Sequence, residues 1–249
     1  KVKMTDKVNF GLEKVSKVKK PKLVSSIFSS VSNKYDLMND AMSFGLHRIW
    51  KEKMISVCKP KSFNKILDVA TGSGDIALKL LRKKKNLSVT CLDENKDMLS
   101  ICKNRLIDNG FVKDINFIKS SIEDISLDSN SIDIATIAFG FRNFTNHKKA
   151  LENIYDALKP GGKLVIMEFT TPKDKIMGKI FETYTNKIIP KLGEFIAKDY
   201  DSYKYLAESI KAYYSPDQVL KMFEENKYIN NKFIFLPGNI VTIHVGYKN

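Results

Sequence analysis

The segment 66–75 joins an apolar run to a glycine-rich turn, and no other feature constrains the fold as strongly. Apolar residues at 66, 67 and 69 flank a single acid, Asp68, and the segment ends in Thr-Gly-Ser-Gly-Asp. This pattern is typical of a buried parallel strand that feeds a helix through a tight loop. Such a loop presents backbone N–H groups and a helix N-terminus to a ligand. The sequence therefore predicts a nucleotide-like cofactor at this turn.

Strand-like and helix-like segments alternate through the middle of the chain. This alternation indicates βαβ crossovers, a parallel sheet and helices on both faces. Lys159–Gly162, with the sequence Lys-Pro-Gly-Gly, is predicted to stop the last of these helices before the next strand. The predicted strands are 65–70, 88–93, 115–119, 132–138 and 163–169, and the predicted helices are 75–85, 96–109 and 146–158.

The two ends of the chain depart from this alternation. Residues 1–22 are polar and basic and are predicted to be a flexible segment. Residues 23–249 are predicted to form one domain, with a helical preface over 23–60. Residues 172–214 look helical, carry six of the ten tyrosines and are the candidate cover of a substrate site.

The last residues predict a helix and a hairpin. Pro216 is well placed in the first turn of a helix that runs through Phe223. Two strands near 232–236 and 240–247 are joined by Leu-Pro-Gly-Asn, which is a hairpin-like turn. A hairpin at the end makes the final strand antiparallel to its neighbour.

The composition argues against a protein that binds nucleic acid, depends on disulfides or zinc, or spans a membrane. Forty-two Lys+Arg against 28 Asp+Glu give a net charge of +14, but the lysines are scattered, which favours a solvated surface over a nucleic-acid-binding stripe. The three cysteines form no C-x-x-C pair, which argues against a disulfide framework and a zinc site. No apolar run reaches about 18 residues, so no membrane span is expected. Because the first residue is Lys1, we expect a leader to precede it.

Two cofactors compete for the glycine loop. Gly72–Ala77 can be read as the G-x-G-x-x-A of a dinucleotide-binding dehydrogenase, with Asp93 lying 21 residues beyond Gly72. The alternative is S-adenosylmethionine (SAM), whose ribose hydroxyls would donate to Asp93. Asp68 would then orient the amino-acid end of the cofactor, or would only satisfy N–H groups of the loop. An antiparallel hairpin after five parallel strands favours SAM, since a dehydrogenase would ordinarily continue its parallel winding.

This order of elements resembles the class I SAM-dependent methyltransferase fold, which is Rossmann-like. The resemblance implies an α/β protein with a seven-stranded, mostly parallel sheet and an antiparallel last strand. Residues 138–144 read Ala-Phe-Gly-Phe-Arg-Asn-Phe and lack the Pro-Pro turn of methylases that modify nucleic-acid amino groups. Nucleic acid is therefore not an expected partner.

Several longer motifs resemble one family, the ubiquinone/menaquinone biosynthesis C-methyltransferases. The resemblance extends from about Asn9 to the C-terminus, and several motifs in order are far more specific than the glycine loop alone. The matching segments are Phe28–Asp40, Met42–Trp50, Phe139–Asn143, Asp201–Ile210 and His244–Lys248.

The family resemblance implies methyl transfer from SAM to a ring carbon of a prenylated benzoquinol in ubiquinone biosynthesis, or of a naphthoquinol in menaquinone biosynthesis. Ser73 stands where the family often has Thr, and Ser121-Ile122 where it often has Asn-Ala beside the adenine. Ala138 stands where some relatives have Ser. The cofactor-binding residues implied are Asp68, Gly72, Ser73, Gly74, Asp93, Ser121, Ile122 and Ala138.

Arg142 and Asn143 are the predicted catalytic residues. As a fixed cation, Arg142 would stabilise the developing phenolate and hold a water that removes the proton, since arginine itself stays protonated. Asn143 would fix the same oxygen. The alternatives are a cap or salt bridge for Arg142 and a turn residue for Asn143. His47 could be a base or only a polar tip on its helix, and Tyr184, Tyr203 and Tyr205 could line the ring pocket.

The expected partners follow from the substrate. A polyprenyl tail requires a groove or a bilayer, so a polyprenylated quinol and peripheral contact with a membrane surface are expected. Other quinone-biosynthesis enzymes and a homodimer are further candidates, and no metal is expected.

A eukaryotic source would place the chain on the matrix side of the mitochondrial inner membrane, and a bacterial source in the cytoplasm. Two other functions stay open: a methylase with an O or N acceptor, and a structural cofactor-binding subunit of a quinone-synthesis complex.

Overall fold

The computed structural model describes residues 7–31, 39–40, 43–172 and 174–249. Parts of the predicted family motif Phe28–Asp40 therefore lie outside the described residues. Two helices, α1 (Lys20–Val31) and α2 (Leu46–Cys58), precede the main sheet. α2 lies within the predicted helical preface of 23–60, whereas α1 begins at Lys20, inside the segment predicted to be flexible. Lys59, which follows the last residue of α2, has a left-handed φ of 44°.

Two short strands, β1 (Lys7–Phe10) and β2 (Glu13–Ser16), precede the main sheet. The strands of the main sheet are β3 Lys65–Val69, β4 Ser88–Asp93, β5 Ile115–Lys119, β6 Ile132–Ala138, β7 Leu158–Phe169, β8 Ile229–Phe235 and β9 Val241–Tyr247. These seven strands lie in the order β5-β4-β3-β6-β7-β9-β8. The first five in this order are parallel, and β9 lies antiparallel between β7 and β8, which confirms the predicted fold class.

The order of the strands determines where a ligand can bind. The chain moves outward from β3 through β4 to β5, and then returns to the other side of β3 with β6. Parallel sheets of this kind bind ligands beyond the carboxyl ends of the strands, where the winding reverses. The crevice between the loops that follow β3 and β6 is therefore the expected site.

Helices cover both faces of the sheet and bury two apolar cores. Side-chain caps begin several of them: Asn95 accepts from two backbone N–H groups of α4, and Ser215 forms a capping box with Gln218 around Pro216. These helices are α3 Asp75–Lys83, α4 Lys96–Asp108, α5 His147–Ala157, α6 Lys175–Thr183, α7 Ile189–Leu192, α8 Tyr200–Lys211 and α9 Pro216–Glu225. Two π-helical stretches, Tyr184–Ile188 and Gly193–Ala197, flank α7.

The structure differs from the sequence-based expectation at two places. The third predicted helix does end at Ala157, but the strand begins at once, so Lys159–Gly162 forms part of β7 instead of a separate turn. A register shift in the pairing with β6 accommodates it. The second difference is a hairpin of β1 (Lys7–Phe10) and β2 (Glu13–Ser16), inside the segment predicted to be flexible.

The N-terminal hairpin packs against α8. The Phe10 ring stacks on Tyr205 with 4.3 Å between ring centroids, and Leu12 N donates to Glu208 Oε2 at 3.4 Å. No described helix is both long enough and apolar enough to cross a membrane.

Gly74, at the start of α3, provides a test of packing in the glycine loop. Its φ is +79°, and an added Cβ would lie 2.5 Å from Cys102 Sγ and 3.2 Å from Cys102 Cα. We expect Gly74→Ala to lower the free energy of unfolding by about 1–2 kcal/mol for the left-handed backbone. Overpacking should add about 1–3 kcal/mol.

Gly110 is the matched control, because its φ is +81° and an added Cβ meets nothing within 4 Å. In urea denaturation, Gly110→Ala should lower the free energy of unfolding only by the cost of the left-handed backbone. Equal losses in the two variants would contradict the predicted clash.

Candidate active site

The loop between β3 and α3 is held in an unusual backbone conformation. Ala70, Gly72 and Gly74 all have positive φ, at 52°, 55° and 79°. Thr71 N donates to Leu92 O at 3.1 Å, which ties the loop to the neighbouring strand β4. An added Cβ at Gly72 would meet no atom within 4 Å. Gly72 therefore leaves open space where a side chain would otherwise fill the cavity.

Asp68 is fully engaged beneath this loop. Its Oδ2 accepts from Thr71 Oγ1 at 2.6 Å, and its Oδ1 accepts from Thr136 Oγ1 at 2.7 Å. Burial raises the pKa of the Asp68 carboxyl to about 6, against the lowering effect of the two hydroxyls. Asp68 lines the larger of two cavities described below. Its two hydrogen-bond partners are hydroxyl groups of the loop and of the neighbouring strand, and not the loop N–H groups of the alternative interpretation.

Asp93, at the end of β4, binds the loop from the other side. Its Oδ2 accepts from Gly72 N at 2.8 Å and its Oδ1 accepts from Asn95 N at 2.8 Å. Burial also raises the pKa of Asp93 to about 6. Each carboxylate oxygen can accept more than one hydrogen bond, so Asp93 retains capacity for ligand hydroxyls.

A cavity of about 90 Å³ lies beside Asp93. Ile122 and Ala138 line it, as the predicted cofactor site requires, together with Gly72. Ser121, a predicted cofactor-binding residue, does not line this cavity, and its Oγ accepts from Glu123 N at 3.1 Å. Ser73 is buried, and its Oγ accepts from Arg105 Nη1 at 3.3 Å.

Helix α1 covers the smaller cavity. The Asn95 amide donates to Ser25 O at 2.9 Å and to Ser29 Oγ at 2.9 Å, and Ser29 Oγ donates to Asp97 at 2.7 Å. The Lys20 ammonium donates to Phe144 O at 2.7 Å. The structure therefore holds α1 over the site through the Asn95 side chain after β4 and through a backbone carbonyl of the loop that follows β6.

Arg142 follows β6 in a short 3₁₀ turn and is held rigidly. Its Nη1 lies 2.8 Å from Glu168 Oε1, its backbone N donates to Glu168 Oε2 at 3.1 Å, and its Nε donates to Ser209 Oγ at 3.2 Å. Nη1 also donates to Phe139 O. The side chains of Arg142 and Glu168 are 6% and 0% exposed. Within the described residues, no partner contacts Nη2.

Asn143 belongs to the same network. Its Oδ1 accepts from the Tyr205 hydroxyl at 3.0 Å, which links the 3₁₀ turn to α8. Burial raises the pKa of Tyr205 to about 12, so the hydroxyl remains a donor at neutral pH. Asn143 lines the smaller cavity and Arg142 the larger one. The structure thus places the two predicted catalytic residues on the walls of adjoining cavities.

The larger cavity has a volume of about 490 Å³ and adjoins the smaller one through shared wall residues. Its walls are mostly apolar, and the side chains of Tyr184, Tyr203 and Tyr205 line it. An aromatic cluster of Trp50, Phe139 and Phe169 forms one side, with 4.7 Å between the centroids of the two phenylalanines. The shared wall residues are Phe28, Ala70, Gly72, Ala138 and Phe139.

Sequence reasoning missed Glu168 and Asn95. Glu168 follows the buried run Leu164–Met167 at the end of β7, so it occupies the same kind of position as Asp68 and Asp93. An acid at the end of an apolar strand was therefore a usable signal. For Asn95 the sequence indicates a helix cap, but not the contact with α1.

The Asp68 carboxyl predicts how stability depends on pH. Because its pKa in the folded protein is raised to about 6 from 3.8, the native state holds a proton that the unfolded chain releases. The raised pKa of Asp68 therefore stabilises the folded protein fully below about pH 4, and this stabilisation is lost as pH rises through about 6. This shift corresponds to about 3 kcal/mol.

We expect the free energy of unfolding to fall less in Asp68→Asn than in the wild type between about pH 4 and pH 7. Urea denaturation across this range measures the difference. Asp108→Asn, at an exposed carboxyl, should follow the wild type. Parallel curves for Asp68→Asn and the wild type would contradict the prediction.

Comparison with known proteins agrees with this architecture. Residues 14–248 match the ubiE/COQ5 methyltransferase family. The chain is 44% identical over 250 residues to a protein of Wigglesworthia glossinidia brevipalpis named ubiquinone/menaquinone biosynthesis C-methyltransferase UbiE, covering 100% of this chain and 98% of that protein. A protein of the same name from Rickettsia prowazekii is also 44% identical, with coverage of 96% and 98%.

Solved structures show the same fold at low sequence identity. A SAM-dependent methyltransferase from Aquifex aeolicus aligns with a TM-score of 0.58 and 18% identity, covering 79% of this chain and 88% of that one. A phosphoethanolamine N-methyltransferase from Haemonchus contortus, solved with S-adenosyl-L-methionine, gives a TM-score of 0.58 and 13% identity, with coverage of 80% and 52%. The chain therefore belongs to the ubiE/COQ5 methyltransferase family, and it is a SAM-dependent C-methyltransferase.

Proposed function

We propose that this chain transfers a methyl group to a ring carbon of a polyprenylated benzoquinol in ubiquinone biosynthesis. The observation that carries the proposal is the large apolar cavity, which adjoins the smaller cavity beside Asp93 and has Arg142 in its wall. The polar quinol ring needs a fixed polar group, such as the Arg142 cation, that sets its orientation, whereas its prenyl tail needs apolar walls. The names of the similar bacterial proteins support a quinone substrate.

The residues around the smaller cavity fit SAM. Asp93 offers carboxylate oxygens to ribose hydroxyls, and Ile122 offers an apolar surface to a base. Gly72 leaves room for close approach, because no atom lies within 4 Å of an added Cβ. When bound there, SAM supplies a methyl group that is already activated by the sulfonium.

The residues of the larger cavity would orient the acceptor. Glu168 and Ser209 hold the Arg142 guanidinium, so its remaining N–H groups at Nη2 can bind a ring oxygen without rearrangement. A cation there stabilises the ring oxygen as its proton leaves, which makes the adjacent carbon nucleophilic. The aromatic cluster of Trp50, Phe139 and Phe169 excludes water from this position.

Menaquinone biosynthesis is the second candidate, because the names of the similar proteins include both pathways. A short-tailed benzoquinol and a short-tailed demethylnaphthoquinol, each offered with deuterium-labelled SAM, separate the two. We expect mass spectrometry to find the label on a ring carbon, with the higher kcat/KM for the benzoquinol. Label on an oxygen or nitrogen, or no transfer to either ring, would overturn the proposal.

The mouth of the larger cavity supports contact with a membrane. Phe44, Leu46 and Ile180 line the cavity and are also 80%, 39% and 58% exposed. A prenyl tail could pass between them from a bilayer into the cavity. The similar proteins are bacterial, which favours the cytoplasmic face of a membrane over the mitochondrial alternative. A homodimer and a complex with other quinone-biosynthesis enzymes stay predictions.

Arg142→Lys tests the catalytic role while keeping a cation beside Glu168. Removing the charge would leave a buried carboxylate unpaired and endanger the fold. We expect kcat to fall by about 10²-fold or more, because lysine cannot reproduce the rigid fork of donors. Calorimetry should find the affinity for SAM nearly unchanged. Arg82→Lys, on the exposed end of α3, is the control, and an unchanged kcat in Arg142→Lys would remove Arg142 from the mechanism.

The exposed mouth predicts binding to lipid vesicles. We expect the chain to co-sediment with phosphatidylglycerol vesicles more than with phosphatidylcholine vesicles, and added salt should weaken this binding because the net charge is +14. The double variant Phe44→Ser/Ile180→Ser should bind less. Phe63→Ser is the matched control, because Phe63 is 78% exposed but lies before the first residue of β3, at the amino-terminal end of that strand, and does not line the cavity. Indifference to lipid charge, salt and both variants would contradict this prediction.

A further inference from the structure

His47, on α2, lines the larger cavity and is nearly buried, with 11% of its side chain exposed. Burial lowers its pKa below 6.5, assisted by the nearby Lys51 ammonium, so the imidazole is neutral at pH 7. A neutral imidazole has one nitrogen that donates and one that accepts a proton. Which nitrogen accepts is determined by the surrounding hydrogen bonds.

Ser43 determines the tautomer. Its hydroxyl donates to Asn39 O at 2.6 Å, which uses its single proton. The same oxygen accepts from His47 N at 3.2 Å and lies 2.8 Å from His47 Nδ1. Because the hydroxyl has no second proton to give, Nδ1 must carry a hydrogen and donate it to Ser43.

The lone pair of His47 therefore lies on Nε2. No hydrogen bond or ion pair within the described residues uses Nε2. Nε2 is also accessible to solvent, whereas Trp50 Nε1 is buried and has no hydrogen-bond partner among the described residues. His47 and Arg142 both line the larger cavity, in which the proposed function places the acceptor ring.

From this orientation we infer that His47 Nε2 is the general base that takes the ring hydroxyl proton of the acceptor. The inference rests on the proposed function and adds the proton acceptor that Arg142 cannot be. The O–H bond breaks, an N–H bond forms at Nε2, and the electron pair stays on the ring oxygen beside Arg142. The ring C–H proton is lost to water as the ring regains aromaticity, which leaves the product as a ring oxyanion. The imidazolium returns its proton to that oxygen, so one proton leaves per methyl group transferred.

Some of the charged groups around His47 favour its protonation and others oppose it, which suits a base that is protonated only during turnover. Asp40 Oδ1 lies 3.7 Å from Nδ1, on the side away from Nε2, and stabilises the imidazolium once it forms. Asp75 acts in the same direction, whereas Lys51 and Arg48 oppose protonation. Asp40 is itself paired with Arg48, and Asp75 with Lys51 at 2.6 Å.

The tautomer can be measured without any turnover. In ¹⁵N-labelled full-length protein at pH 7.5, we expect the NMR spectrum of His47 to show a protonated Nδ1 and an unprotonated Nε2. His47→Asn identifies the resonances by their loss. A protonated Nε2 in the neutral ring would overturn the inference, whatever the activity of the enzyme.

Kinetics test the catalytic role separately. We expect His47→Ala to lower kcat by about 10²–10⁴-fold, which is the usual contribution of a general base. The acidic limb of the pH–kcat profile should disappear, added imidazole should restore part of the rate, and calorimetry should find the affinity for SAM within about threefold. A structural role alone would not give rescue by imidazole.

His244→Asn is the control, because His244 is a buried histidine on β9 whose Nε2 bonds to Pro216 O. It should keep the wild-type kcat and pH profile per folded molecule. If the wild type transfers methyl groups to a quinol while His47→Ala keeps its acidic limb or ignores imidazole, the inference fails and the proposed function stands. If the wild type transfers none, the proposed function itself fails.

Discussion

Carboxylates buried at the ends of parallel strands must find hydrogen-bond donors inside the fold, and this requirement shapes every loop of the site. Asp93 accepts from the backbone of the glycine loop, and Asp68 accepts from two threonine hydroxyls beneath it. Glu168 accepts from the backbone N–H groups of Arg142 and Phe169 as well as from the guanidinium. Since an unpaired buried carboxylate is costly, each one fixes the loop that satisfies it. Binding groups are thereby placed in advance of any ligand.

The two cavities differ in their polar residues and in the elements around them. Both have mostly apolar walls, but Asp93 and Asn95 line the smaller one after β4, whereas the larger one lies under α2, α6 and α8. Phe139 belongs to both walls and has a left-handed φ of 58°. Gly140 follows it, and an added Cβ there would lie 2.6 Å from Ala70 Cβ. Close packing between the loops after β3 and β6 therefore keeps the two cavities next to each other.

The sequence predicted the sheet and the cofactor loop because both follow from local patterns. Apolar runs and glycine turns placed β4, β5 and β6 at their observed bounds. It could not predict contacts between distant segments. Arg142 was expected to face a ring oxygen, and the structure shows that it is also half of a buried ion pair with Glu168, 26 residues away. The stacking of Phe10 on Tyr205 likewise depends on tertiary packing, since a four-residue strand has no strong local signal.

The hydrogen bonds between Asn95 and α1 have a consequence for release of the product. The same amide side chain caps α4 through its oxygen and binds α1 through its nitrogen. The oxygen contacts are local to α4, while the nitrogen contacts reach across the cavity, so α1 can detach without unravelling α4. Under the proposed function, the demethylated cofactor lies in the cavity that α1 covers. Rupture of the hydrogen bonds from Asn95 to Ser25 and Ser29 would open that side of the cavity, so these contacts would bear on the rate of product release.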